Sequence, residues 1–93
     1  MKVGPVLIRG ELLPALLAAL RELNEGIELL DRGAYVRVSV DGSCRLLRKV
    51  VERHLGRPFH LPVDLERAMA SFAGRLSVDE DEARWSGAEG GRS

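Results

Sequence analysis

Ala34 to Val40 constrains the fold more than any other stretch, because its side chains alternate without a break: Ala34, Val36, Val38 and Val40 fall on one side, and Tyr35, Arg37 and Ser39 on the other. A period of two with one apolar face is a strand lying on a core, so the chain must build a sheet and something to cover it. Asp41-Gly42 follows and marks a hairpin. A two-residue loop there would put Arg45 on the face of Val36 and Val38. A three-residue loop, Val40 to Gly42 with Gly42 left-handed, instead pairs Val38 with Cys44 and Val36 with Leu46 inside. It also sets Arg37 opposite Arg45 outside, a small basic spot.

Other elements follow from spacing and punctuation. Val3 to Arg9 reads as a strand, with Pro5 tolerated on an edge or near the strand start, and Gly10 breaks it. Leucines at 13, 16, 17 and 20 mark one face of a helix over Leu12 to Leu23, with Pro14 in its first turn and Asn24-Glu25-Gly26 as its stop. Ile27 to Leu30 is a brief strand before the turn Asp31-Arg32-Gly33. Arg48 to Leu55 is helical, apolar at Leu47, Val50, Val51 and Leu55, and stopped by Gly56.

A third helix is predicted from Pro62 to about Phe72, with Leu65, Ala68, Met69 and Phe72 as its inner stripe and Gly74 as its end. Arg75 to Val78 and Ala83 to Trp85 read as strands around the acidic turn Asp79 to Glu82. Ser86 to Ser93 is expected to be a disordered tail. The order βαββ(β)ααββ indicates an α+β, two-layer sandwich of about three helices on a mainly antiparallel sheet. A chain of 93 residues, 45% of them hydrophobic, supports one core, so residues 1–85 are expected to form a single domain.

Charge and chemistry narrow the function. Fourteen basic residues balance fourteen acidic ones, which removes any net pull toward nucleic acid or an anionic membrane. No signal peptide or membrane span is expected. The single cysteine, Cys44, cannot form an internal disulfide and suits a reducing, cytoplasmic compartment. Its predicted inward position makes it a small buried hydrophobe rather than a nucleophile partnered by His54 or His60. Those two histidines lack zinc-site spacing, and Asp79-Glu80-Asp81-Glu82 lacks the twelve-residue calcium loop. Gly87, Gly90 and Gly91 follow no strand and open no helix, so no phosphate loop is supported. Only Tyr35 is placed for base stacking, a weak basis for RNA binding. With a core and no assembled catalytic constellation, binding or regulation is favoured over chemistry.

Five ordered segments run through nearly the whole chain: Val3-Gly4-Pro5, Ala34-Tyr35-Val36-Arg37, Leu55-Gly56-Arg57-Pro58-Phe59, Ala70-Ser71-Phe72-Ala73-Gly74 and Asp79-Glu80-Asp81. The set resembles the effector, or coupling, proteins of bacterial multicomponent monooxygenases, which serve toluene, phenol, alkene and methane oxidation, and is most like the toluene monooxygenase effectors. The resemblance implies a protein without metal or organic cofactor that docks on the diiron hydroxylase component and tunes its active-site geometry, coupling and substrate selection. It maps the docking region onto Arg67, Ala70, Ser71, Phe72, Gly74 and Arg75. Ala70, Ser71 and Gly74 would admit another backbone, and Arg67 and Arg75 would meet acidic groups. For Phe72 the helical spacing favours the core over contact, and Arg57 and Phe59 are read as structural. Departures from the family pattern are the two residues before Val3, where members often carry a longer extension, and the less aromatic last strand. The competing readings are a stand-alone small-molecule-binding regulatory module, expected to show a filled apolar pocket, and a minor enzyme using an exposed Cys44 thiol.

Overall fold

The computed structural model describes residues 1–87. Its elements are β1 (Lys2–Ile8), α1 (Leu13–Leu23), β2 (Glu28–Asp31), β3 (Tyr35–Asp41), β4 (Ser43–Leu47), α2 (Arg48–Leu55), α3 (Val63–Ala68), β5 (Met69–Ala73), β6 (Arg75–Val78) and β7 (Glu82–Ser86). The α+β expectation holds. The strands divide between two antiparallel sheets, one ordered β2-β3-β1-β5 and the other β4-β7-β6.

The alternation of β3 survives in full from Val36 onward: Val36, Val38 and Val40 are buried, while Tyr35 and Arg37 are exposed. The predicted hairpin does not form. β3 pairs with β1 and β2, and β4 pairs with β7 instead, so Val38 does not face Cys44 nor Val36 Leu46 across a ladder. Gly42, at φ 87°, turns the chain from one sheet into the other. Cys44 and Leu46 are still buried, because the corner preserves which face points inward. Nor is there a basic spot at Arg37 and Arg45: Arg45 lies opposite Arg84 and donates to Glu82 Oε2 at 3.1 Å.

Pro5 also departs from expectation, since β1 is a central strand paired on both sides. What the segment Val3-Gly4-Pro5 supplies is close approach. Gly4 sits at φ 145°, and a Cβ there would fall 2.3 Å from the Val38 carbonyl oxygen, so only glycine lets β1 lie so near β3.

Helix α1 packs against α2 and β4. Its end is tied down by Asn24, whose amide donates to the carbonyls of Leu20 and Arg45, both at 2.9 Å, and accepts from Arg45 N–H at 3.0 Å. Helix α2 ends at Gly56 in the left-handed region, φ 79°, with the Gly56 N–H bonded to Glu52 O at 2.8 Å. The Leu55-to-Phe59 segment then folds back because Glu52 accepts the Phe59 N–H at 2.9 Å, which lets the Phe59 ring enter the core fully buried. Phe59 is thus structural as expected, whereas Arg57 is exposed and pairs with Glu11 at the surface.

The third helix is shorter than its spacing predicts. It ends at Ala68, and Met69–Ala73 becomes a strand on β1. Leu65 and Ala68 are buried as expected, Met69 is half-buried, and Phe72 is 43% exposed, not core. Local spacing lost to a non-local ladder: the pairing with β1 satisfies the backbone of this segment and breaks the helical stripe after Ala68. Ser86, assigned to the tail, closes β7; residues 88–93 lie outside the described residues.

One cluster joins the inner faces of both sheets to the helices, from Val3, Leu7 and Val38 through Leu16 and Leu20 to Cys44, Phe59 and Trp85. β1 touches β4 and β7 across this core. The helices and the smaller sheet thus lie on one side of the four-stranded sheet, leaving its other face uncovered.

Candidate functional site

The six sequence-predicted residues fall on a path from α3 along β5 into β6. Arg67 is exposed in the last turn of α3, and Ala70, Ser71 and Phe72 are exposed on β5, an edge strand with β1 on one side only. The register sets Ser71 opposite Val6, Phe72 opposite Pro5 and Ala73 opposite Gly4, with a bulge between Val6 and Leu7. Such a bulge bends an edge strand and re-aims its side chains. Ser71 and Ala73 border a shallow depression of about 170 Å³ whose lining includes Lys2, Gly4, Val6, Arg37 and Ser39.

Gly74 does something different from the rest. At φ 100° it links β5 to β6, and a Cβ there would lie 2.7 Å from both the Ser86 carbonyl oxygen and Val3 Cγ1. The backbone that approaches Gly74 is the chain's own. Arg75 begins β6 opposite Ser86 and is exposed. Among the described residues, Arg67 and Arg75 belong to no ion pair, which leaves both guanidinium groups free for an outside partner.

Sequence reasoning missed an apolar group near this path. Ile8 (44% exposed), Leu30 (46%) and Tyr35 (37%) all stand on the uncovered face of the four-stranded sheet. A signal existed: Leu30 and Tyr35 occupy the parity opposite to the core positions of their strands, and Ile8 the parity opposite to Val3 and Leu7, where an apolar side chain has little internal job.

The chemistry of the interior is inert. Cys44 is buried, and desolvation pushes its thiol up to about 12, so a reactive thiolate is not available at neutral pH. The acidic turn is held by its own backbone: Asp79 Oδ1 accepts the N–H groups of Asp81 at 2.8 Å and Glu82 at 2.9 Å, which keeps its carboxyl below the usual range. On the helical side, Glu22 accepts from His54 and Arg53, and its carboxyl is likewise lowered. Among the described residues no group of His, Cys, Asp or Glu could hold a metal ion, and no helix is long and apolar enough to cross a membrane.

The pattern of the MmoB/DmpM family matches residues 1–86, the two sheets and all three helices included. The chain belongs to the MmoB/DmpM family. The effector subunit of an alkene monooxygenase system from Xanthobacter autotrophicus is 42% identical over 85 residues, spanning 89% of this chain and 83% of that protein. The MmoB/DmpM fold is shared with a chain in a structure of a phenol hydroxylase–regulatory protein complex (TM-score 0.84, 22% identity, 92% of this chain and 98% of that one). Soluble methane monooxygenase regulatory protein B gives a TM-score of 0.73 at 18% identity over 98% of this chain and 68% of that one.

Proposed function

We propose that this MmoB/DmpM family member is a non-catalytic effector subunit that binds the hydroxylase component of a diiron monooxygenase acting on aromatic or alkene substrates. The observation that carries this reading is the 42% identity with an alkene monooxygenase effector subunit, sustained over 85 residues rather than confined to one motif. The inert Cys44 and the exposed edge strand β5 support a protein that works by contact. Arg67, Ala70, Ser71, Phe72 and Arg75 are the proposed contact residues, with Gly74 shaping the turn that presents them. A single effector domain over residues 1–85 and a cytoplasmic location belong to the same proposal; a free thiol sealed in the core suits a reducing compartment.

The mechanism is differential binding. An effector without chemistry of its own can alter turnover only by holding one hydroxylase conformation more tightly than another, so that the population of active-site geometries shifts. Substrate choice then remains a property of the hydroxylase pocket as this protein reshapes it. Reconstitution tests the reading. Hydroxylase, electron-transfer partner and reductase are assayed for product formed per electron consumed, with and without this chain. A rise in turnover and coupling is expected, and unchanged values would refute it.

A further inference from the structure

Resting on that effector reading, we infer that the hydroxylase docks on the whole uncovered face of the four-stranded sheet, with β5 as its margin. The face presents an apolar patch with free positive charge, and it fits a partner surface that is apolar with acidic side chains around it.

Register places the residues. Leu30 lies opposite Arg37, Arg37 opposite Val6, and Val6 opposite Ser71, so one row crosses all four strands and ends on a proposed contact residue. Ile8 and Tyr35 form the neighbouring pair in the same ladder. Leu30, Ile8 and Tyr35 are thus exposed together, and Ser71 lies at the β5 edge beyond Val6, which is itself buried.

Charge on this face is one-sided once internal pairs are removed. The acidic groups there are already matched, Asp41 by the N-terminal ammonium and Glu28 by Lys2, and Asp31, opposite Val36 on the other parity at the end of β2, pairs with Arg9. Asp31 is held further by the Gly33 N–H at 2.8 Å. Arg37 and, at the β5 end, Arg67 belong to no ion pair among the described residues. Charges left over are therefore positive, and a complementary partner supplies carboxylates.

Size points the same way. A strand as short as β5 spans about 17 Å by one strand width of about 4.8 Å, a footprint on the order of 80 Å². A stable interface needs about 800 Å² from each partner. Adding the other three strands enlarges the footprint roughly fourfold, to about 330 Å², so the open face approaches that area more closely than β5 does and needs the end of α3 and the flanking loops to reach it. Contact at β5 alone is too small to hold a hydroxylase.

The test measures affinity for the purified hydroxylase of the same system together with turnover, using Leu30→Asp, Arg37→Glu, Ala70→Trp and a control on the helical layer, Arg21→Glu. We expect Leu30→Asp and Arg37→Glu each to weaken binding at least tenfold with unchanged circular dichroism, and Arg21→Glu to stay within twofold. Added salt should weaken the wild-type complex more than the Arg37→Glu complex. Should Leu30→Asp fail to fold, Leu30→Ser and Arg37→Glu carry the same comparison. Wild-type affinity in the sheet-face variants with loss only in Ala70→Trp would overturn the inference while leaving the effector reading standing. Wild-type protein that neither binds the hydroxylase nor alters turnover would overturn both. Self-association abolished by Leu30→Asp, with hydroxylase affinity intact, would assign the face to a second copy and overturn the inference as well.

Discussion

Gly4 occupies a position that admits no side chain, for a reason that sits 34 residues away at Val38. Its replacement by alanine brings a Cβ to 2.3 Å from a backbone oxygen at a φ of 145°, which neither strand can relieve without separating. The expected loss for Gly4→Ala is roughly 2–4 kcal/mol, read as a lower urea midpoint, whereas Gly26→Ala, with open space around it, should cost less. Glu52 gives a prediction in pH. The Phe59 N–H, and then the Arg48 guanidinium, hold its carboxyl below the ordinary 4.5. Because the folded-state value is depressed, this stabilisation is present above pH 4.5 and is lost as pH falls through the folded-state value. Glu52→Gln should therefore melt lower than wild type at pH 7, with the gap narrowing below pH 4.5; a gap independent of pH would show that the Glu52 charge is not what matters. The sequence shows Val3-Gly4-Pro5 as a pattern, but the clash that requires the glycine is a tertiary fact.

At the level of elements, legibility followed locality. Helix α2 and strand β6 match their predicted bounds because spacing, Gly56 and the acidic turn mark them from within. Buried faces were legible too: alternation assigns Val36, Val38 and Val40 to the interior, and Cys44 and Leu46 are buried as expected although the hairpin register that placed them there does not form. Partner choice was not. Asp41-Gly42 reads the same whether the next strand folds back or passes to another sheet, and only β7, some forty residues on, settles where β4 goes. Likewise Leu65, Ala68 and Phe72 keep helical spacing on paper, yet the ladder with β1 converts residues 69–73 to strand and leaves Phe72 outside. This conversion strengthens one proposed contact and recasts another: Phe72 becomes available, and Gly74 turns inward. On an open edge strand, Ala70→Trp is expected to leave the thermal melt within a few degrees of wild type. The same variant should bind hydroxylase at least tenfold more weakly, because the indole lies between the two backbones; equal affinity in a titration would move the contact off β5.

For the molecule as a whole, a layered α+β scaffold turns one side into a packed core and leaves one sheet face open, so in the proposed docking stability and recognition are carried by opposite surfaces. That separation matters for an effector, whose binding face can vary without disturbing the cluster around Phe59 and Trp85. It also fixes how the effect on the hydroxylase must behave. If binding shifts the hydroxylase between conformations that differ in substrate affinity, linkage requires the reciprocal effect: substrate must change effector affinity by the same factor that effector changes substrate affinity. Coupling energies of this kind are typically about 1–3 kcal/mol, or roughly 5- to 150-fold. Calorimetric titrations of effector into hydroxylase, with and without a saturating substrate analogue, should therefore differ by a factor within that range. Titrations of the analogue with and without effector should give the same factor. Equal effector affinities in the two states would mean that this protein binds both conformations alike, and a change in turnover would then have to arise after substrate binding, on a step that the equilibrium titrations do not see.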